Sequence, residues 1–282
     1  MAIIDGKKLA AEIQEKTRER AKTFADRAGR PVGLTVVQVG DDPASGIYIK
    51  GKKKDAEKVG LRSEVIRMPE ETTEDELLPV LHRLNHDPAV DGYIVQLPLP
   101  RQLDENRILS CISPSKDVDG FTPGNLGRLV TGERCFVPCT PLGCMLLLDH
   151  AKAKLEGARA VMVGRSRIVG KPLALLLLAR HATVTMCHSR TRDLAGEVGR
   201  ADILVAAVGS PGLIRGEWIK EGAVVIDVGM NRLPDGSLTG DVAYEEAARR
   251  AAWITPVPGG VGPMTRACLI ANAVDAAWSQ LR

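Results

Sequence analysis

Aromatic side chains are scarce in this chain, with three Trp, three Tyr and three Phe among 282 residues, so any core it forms is aliphatic. Neither sign of charge dominates: 38 basic and 35 acidic residues are interspersed, and a net +3 gives no sustained field for nucleic acid or a membrane surface. No apolar run reaches 18 residues. The richest, Leu173 to Leu178, is flanked by Lys171, Arg180 and His181, and nothing at Met1-Ala2-Ile3-Ile4-Asp5 resembles a signal peptide. The six cysteines form no C-x-x-C pair, and no histidine stands at a zinc-like offset from them, so a metal cluster lacks ligand geometry and reduced, mostly buried thiols are expected. These absences predict a soluble cytoplasmic protein without metal, nucleic-acid or membrane partners.

What is present is an α/β pattern in two parts. A chain of this length with 44% hydrophobic residues buries one large core or two medium ones, and the change of motif content near residue 140 favours two. Helices are predicted at 5–28, 43–59 and 74–85, and strands at 32–39, 63–67 and 92–97, with 113–120 as loop. Pro138 to Pro141 leads into a further helix. Strands at 160–163, 183–187, 203–208 and 224–228 then alternate with helices, the signature of a doubly wound parallel sheet, and a helix over 265–281 closes the chain.

The stretch Val161-Met162-Val163-Gly164-Arg165-Ser166-Arg167-Ile168-Val169-Gly170-Lys171-Pro172 runs from apolar strand through a glycine turn to an aliphatic helix, the order of a dinucleotide-phosphate site. Gly164 permits the sharp turn, Gly170 permits close packing on the sheet, and the first-turn N–H groups of the helix are expected to face an anion. The spacing matches neither G-x-G-x-x-G nor the P-loop. The next strand ends in His188-Ser189-Arg190-Thr191-Arg192. An acidic residue there would bind a ribose 2′-hydroxyl, whereas Ser189, Arg190 and Arg192 suit a 2′-phosphate, which favours NADP over NAD. Solvated surface arginines are the alternative to that reading.

Candidate reacting groups lie in the first part. Tyr48 and Lys52 stand four apart on one helix face beside Ala56 and Val59, with Lys50, Lys53 and Glu57 on the other. A lysine bordering an apolar stripe becomes usable as a proton donor or acceptor, although a lysine snorkelling from a helix edge is the plainer reading of that pattern taken alone. Gln96 is polar at the end of an apolar strand, so it orients an ammonium or ligand or else bonds a neighbouring loop. Asp119 offers a carboxylate to a flat amino-heterocycle, or forms the turn before Gly120. Finally, Ile254 to Thr265 packs three prolines and three glycines into twelve uncharged residues, with Val257-Pro258 a candidate cis bond.

Taken with Asp42-Pro43-Ala44-Ser45, Val95-Gln96-Leu97-Pro98-Leu99-Pro100, Asp117-Val118-Asp119-Gly120-Phe121 and Pro138-Cys139-Thr140-Pro141, these segments resemble the bifunctional methylenetetrahydrofolate dehydrogenase/methenyltetrahydrofolate cyclohydrolase family, the bacterial FolD type, over essentially the whole chain. The resemblance implies a catalytic folate-binding domain at 1–138, completed by a C-terminal helix over 266–282, and a Rossmann-like NADP-binding domain at 139–265. It implies that Lys52 is the catalytic lysine, that Tyr48 and Gln96 orient and tune it, and that Asp119 holds the pterin ring. Tyr48, Val95, Gln96, Leu97, Asp119, Pro258, Gly259, Gly260, Val261 and Gly262 would line the folate site. Gly164, Arg165, Ser166, Ser189 and Met230 would contact NADP, joined by Arg190 on the charge argument above. Arg167 and Met230 depart from the usual family residues. The implied chemistry is oxidation of 5,10-methylenetetrahydrofolate by NADP⁺ and hydrolysis of the product to 10-formyltetrahydrofolate, in one-carbon metabolism and purine biosynthesis. Tetrahydrofolate derivatives, polyglutamylated forms included, are the implied partners, and a homodimer through the second-domain sheet the implied assembly. Two other readings are a different NADP dehydrogenase acting on a small hydroxy acid such as shikimate, and a sensing module that binds without turnover.

Overall fold

A computed structural model describes residues 2–41 and 43–281, the side chains of 43–45 and 47 excepted. Of the Asp42-Pro43-Ala44-Ser45 segment, Asp42 and the other three side chains therefore lie outside the described residues. In chain order the elements are β1 (Ala2–Ile3), α1 (Gly6–Ala28), β2 (Gly33–Val39), α2 (Pro43–Val59), β3 (Arg62–Met68), α3 (Glu74–His86), β4 (Gly92–Val95), α4 (Glu105–Ser110), α5 (Pro123–Thr131), α6 (Cys139–His150), β5 (Arg159–Val163), α7 (Gly170–Ala179), β6 (Thr183–Cys187), α8 (Leu194–Val198), β7 (Ile203–Ala206), β8 (Val224–Asp227), β9 (Asn231–Arg232), β10 (Leu238–Thr239), α9 (Tyr244–Ala247), β11 (Trp253–Ile254) and α10 (Val261–Gln280). They gather into two compact units, one of residues 11–139 with 266–282 and one of 1–10 with 140–265.

In the 11–139 unit a parallel sheet runs β3-β2-β4. Every residue of the central strand β2 is buried, because a parallel strand covered on both faces has no solvent side to alternate toward. Its core joins Val37 and Val39 to Leu77, Leu81 and Leu84 of α3, Tyr93 of β4, and Ile108 and Leu109 of α4. The C-terminal part of α10 packs on this unit. Trp278 meets Phe24 edge to face at 5.7 Å, and Gln280 Nε2 donates to the Asp91 carbonyl at 2.7 Å.

The other unit holds a six-stranded parallel sheet of order β1-β11-β8-β7-β5-β6. Chain direction across the sheet reverses at β5, between β6 on one side and β7 on the other. In such sheets ligands bind at that switch point, beyond the carboxyl ends of the strands. β1 is a two-residue strand closed by Ala2 N to Ala252 O at 2.8 Å and Ile4 N to Ile254 O at 2.9 Å, too short to leave a period in the sequence. At the opposite edge, β6 leaves Thr183 and Thr185 exposed and Val184 and Met186 half-buried. Among the described residues, no helix is long and apolar enough to cross a membrane.

Candidate active site

On α2 the face carrying Tyr48, Lys52, Ala56 and Val59 turns inward, with Ala56 and Val59 fully enclosed, Lys52 9% exposed and Tyr48 41% exposed, while Lys50, Lys53 and Glu57 face solvent. The helical spacing therefore decides which of four neighbouring lysines is buried. Lys52 Nζ donates to Gln96 Oε1 at 3.0 Å, and Gln96 Nε2 is spent on the Leu97 carbonyl at 2.7 Å, which fixes the amide with its oxygen toward the ammonium. Of the two readings for Gln96, both are realised, one by each end of its amide. Val95 is buried, Leu97 half-buried, and the Leu97-Pro98 bond is cis. Burial raises the Tyr48 phenol above the usual tyrosine range, and the positive charge of Arg266 opposes it.

Asp119 reaches the same place by way of a buried neighbour that sequence reasoning passed over. Asp117 is 1% exposed, and its carboxylate accepts from the N–H groups of Gly120, Phe121 and Thr122 at 2.9, 3.1 and 2.8 Å and from Asn125 Nδ2 at 2.9 Å. Asp117 is thus the turn-former, which releases Asp119 from that role. A parallel bridge pairs Tyr93 with Asp117, so two residues on Asp119 comes level with Val95. Gly92 allows this approach, since a Cβ there would stand 2.3 Å from Val118 Cγ1. Desolvation pushes the half-buried Asp119 carboxyl up, and the charge of Lys52 pulls it back. Cys139 also touches Asp119. Its thiol donates to the Val118 carbonyl at 3.3 Å and is held neutral, well above the usual thiol range, by burial and by the Asp119 charge. Asn272 of α10 completes the support by donating to the carbonyls of Val118 and Val137 at 2.9 and 3.2 Å. The lysine, amide and carboxylate are thereby brought together on one unit.

In the second unit, Gly164 ends β5 at the switch point with φ of 124°, and a Cβ there would stand 2.2 Å from the Ala207 carbonyl oxygen. Gly170 is equally constrained, its Cβ position lying 2.4 Å from the Gly164 oxygen. Only glycine fits this double approach of turn, helix and neighbouring strand. One expectation needs correcting: the first-turn N–H groups of α7 are not open to an anion. Ser166 Oγ accepts from Val169 N and Gly170 N at 3.1 and 3.2 Å, Lys171 N donates to the Ser166 carbonyl at 3.0 Å, and Pro172 has no N–H. Positive charge stands in their place. Gly164 N bonds the Cys187 carbonyl at 2.9 Å, so the turn after β5 lies beside the turn after β6, and Arg165, Ser166, Ser189, Arg190 and Arg192 are all exposed there. That group of donors and cations fits the 2′-phosphate of NADP. Arg167 is half-buried, and Met230, beyond β8, is 41% exposed.

Two further aspartates shape this end of the sheet, again without a signal in the sequence. Asp227 accepts from Gly229 N, Asp241 N and Val242 N at 2.9, 3.0 and 2.9 Å. Asp241 accepts from Val208 N, Gly209 N, Ser210 N and Asn231 Nδ2. Together they tie the ends of β7 and β8 to 240–242. The proline and glycine segment follows β11: Val257-Pro258 is cis, Gly259 has φ of 114°, and Gly259, Gly260 and Val261 are buried while Pro258 is exposed. A Cβ on Gly262 would meet Met230 Cε at 3.0 Å, so one of the expected folate-lining residues and one of the expected nucleotide contacts are neighbours.

A parallel sheet with a glycine turn and arginines at its switch point, together with a unit presenting a lysine, an amide and a carboxylate, defines a nucleotide-dependent enzyme of two α/β domains. Residues 4–119 match the catalytic domain, and residues 138–281 the NAD(P)-binding domain, of tetrahydrofolate dehydrogenase/cyclohydrolase. The chain belongs to that family. It is 57% identical over 275 residues, 98% of each chain, to the bifunctional protein FolD of Moorella thermoacetica. The crystal structure of the bifunctional FolD enzyme from Campylobacter jejuni is 46% identical with a TM-score of 0.98 and full coverage of both chains. That of the Trypanosoma brucei FolD, complexed with NADP and an inhibitor, is 40% identical with a TM-score of 0.96, covering 100% of this chain and 99% of that one. This chain is accordingly a bifunctional dehydrogenase and cyclohydrolase with a nicotinamide-nucleotide domain, which sets aside the hydroxy-acid and sensing readings.

Proposed function

We propose that the protein oxidises 5,10-methylenetetrahydrofolate with NADP⁺ and hydrolyses the resulting 5,10-methenyl compound to 10-formyltetrahydrofolate, with Lys52, Tyr48, Gln96 and Asp119 as the reacting and orienting groups. The observation that carries this is the Lys52 ammonium held by Gln96 Oε1 at 3.0 Å in range of the Asp119 charge. Bound NADP⁺ supplies the hydride acceptor, and the protein's part in that step is alignment of the donor carbon. Hydrolysis asks more of the side chains. Water adds to the methenyl carbon and gives up both its protons: one is carried to N5 as the bond from that carbon to N5 breaks, and the other is released to solvent as the formyl C=O forms on N10. Lys52 is the group that moves these protons, Gln96 fixes its Nζ, Tyr48 borders it, and Asp119 accepts the N–H donors of the pterin. Val95, Leu97 and Pro258 to Gly262 line the folate, while Gly164, Arg165, Ser166, Ser189, Arg190 and Met230 hold the nucleotide.

The partners follow from the surface. Lys50, Lys53, Lys54 and Lys58 are exposed on α2 and attract polyglutamylated folate, an attraction that salt weakens. Affinity for the polyglutamate that ignores salt contradicts this. The open edge of β6, with Val184 and Met186 beside Leu175 and the 59%-exposed Leu178 of α7, is the face for a second copy in a homodimer. Leu178→Glu then yields a monomer in sedimentation, and an unchanged oligomer argues against that face. The setting is the cytoplasm, where the product feeds purine biosynthesis.

The test follows NADPH formation from methylenetetrahydrofolate with NADP⁺ or NAD⁺, together with methenyl decay in the same cuvette. NADP⁺-dependent reduction with accelerated decay supports the reading. Preference for NAD⁺ would remove the role given to Ser189 and Arg190, and binding of both ligands without turnover would remove the catalytic assignments.

A further inference from the structure

Positions 48, 51, 52 and 55 share one face of α2, because residues three, four and seven apart align along a helix. Lys52, bordered by Tyr48, is the proton-transfer group of that face, and Gly51 and Asp55 flank the pair on the side away from Ala56. Both are taken up by Arg266. A Cβ on Gly51 would stand 2.7 Å from Arg266 Nη1 and 3.6 Å from Cδ and Cζ, so the guanidinium lies in the notch that the missing side chain leaves. Arg266 Nε is 2.9 Å from Asp55 Oδ2. The Asp55 side chain is only 15% exposed, and the two facing atoms are shut off from water while lying off the line of a hydrogen bond. The pair is therefore held by charge and packing at the facing atoms, while the rest of the Arg266 side chain is 37% exposed. Arg266 is also the cation that acts on the Tyr48 phenol.

We propose that Arg266 is a positioning residue for the hydrolytic step: seated on Gly51 and tethered by Asp55, it fixes the face of α2 that presents Tyr48 and Lys52. The inference rests on the assignment of proton transfer to Lys52. Gly51 is required here for a reason separate from backbone freedom. A methyl group at 51 would ordinarily be met by a small swing of the arginine tip, but the tether to Asp55 resists that swing, so the strain passes to the helix carrying Lys52. A misplacement of about 1 Å costs about a hundredfold in rate, so a shift of about half that size costs about tenfold.

Arg266→Met is expected to lower kcat for methenyltetrahydrofolate hydrolysis about tenfold, with the KM for NADP⁺ within about twofold of wild type. The ionisation of Tyr48, read as the ultraviolet difference between each protein and its Tyr48→Phe partner, moves to higher pH when the cation is removed, a change that a purely structural role would not produce. Gly51→Ala lowers hydrolysis to a similar extent, and Gly51→Ala with Arg266→Met is no worse than either alone, because the clash disappears with the guanidinium. Arg266→Lys keeps the charge without the flat fork, and so restores the Tyr48 titration but not the rate. Hydrolysis at the wild-type rate in Arg266→Met overturns the proposal, and so do multiplicative losses in the double variant. If Arg266→Met does not fold, Asp55→Asn replaces it, and an unchanged hydrolysis rate there is equally fatal. Lys52→Met in parallel separates the two ideas: a hydrolytically dead Lys52→Met beside an unaffected Arg266→Met removes the clamp alone, and an active Lys52→Met removes the assignment beneath it.

Discussion

Replacing Asp117 by alanine tests whether one buried carboxylate builds the loop that delivers Asp119. Its two oxygens accept four donors, three of them backbone N–H groups at 2.8 to 3.1 Å, and the residue is 1% exposed. Each buried donor left without a partner costs about 1–3 kcal/mol, and water entering the small cavity recovers part of it, so the expected loss is about 4 kcal/mol. That is large for a single substitution. Asp117→Asn keeps one oxygen for one pair of donors and turns an amide nitrogen toward the other pair, so it loses about half as much, ~2 kcal/mol. Urea unfolding measures the loss, and amide exchange at Gly120, Phe121 and Thr122 locates it. Hydrolysis falls with it, since the 117–122 turn sets the level of Asp119 beside Val95. A loss below about 1 kcal/mol in Asp117→Ala, with exchange at those three amides unchanged, refutes the reasoning.

Three other outcomes are expected. Gly164→Ala places a methyl group 2.2 Å from the Ala207 oxygen at a φ of 124°, so it weakens NADP⁺ binding at least about tenfold and lowers the thermal midpoint, both checked by titration and calorimetry. Ser189→Asp puts a carboxylate where the proposed function places the 2′-phosphate, and on that reading shifts the ratio of NADP⁺ to NAD⁺ affinity toward NAD⁺ by about tenfold or more in a fluorescence titration. Asp227 is 3% exposed and burial pushes its carboxyl from 3.8 up to about 6, so the folded state keeps a proton that the unfolded chain has released between those values. Stability from this group is complete below pH 4 and is lost as pH rises through about 6. The advantage of wild type over Asp227→Asn in urea is then about 3 kcal/mol larger at pH 3.5 than at pH 7, and a difference that does not change with pH contradicts it.

The parts of the fold readable from sequence are those with a period. α2 and α3 repeat their buried side at helical spacing, the strands around Val36 and Met162 are mostly apolar runs, and the ends of all four fall within a few residues of expectation. α4, α5, α8, α9 and the two-residue strands β1, β9, β10 and β11 carry no such run; caps and loop hydrogen bonds hold them, as when Asp104 accepts from Asn106 N and Arg107 N. The site divides the same way. The buried side of Lys52 follows from helical spacing, and the glycine at 164 from its turn. That Ser166 caps α7, that Asp117 rather than Asp119 forms the turn, and that Asp227 and Asp241 bind the strand ends depend on which backbone N–H groups the fold brings to each carboxylate or hydroxyl. A sequence names the acceptors without saying where those donors will be.

The central claim is that hydrolysis is proton chemistry carried by Lys52, whereas oxidation is alignment. Purified Lys52→Met, assayed for both reactions beside wild type with NADP⁺ affinity measured in parallel, tests it most directly. The account predicts methenyltetrahydrofolate hydrolysis reduced at least about a hundredfold, NADP⁺ affinity unchanged, and NADP⁺-dependent oxidation retained to a much greater degree. Hydrolysis at the wild-type rate by the folded variant would contradict it.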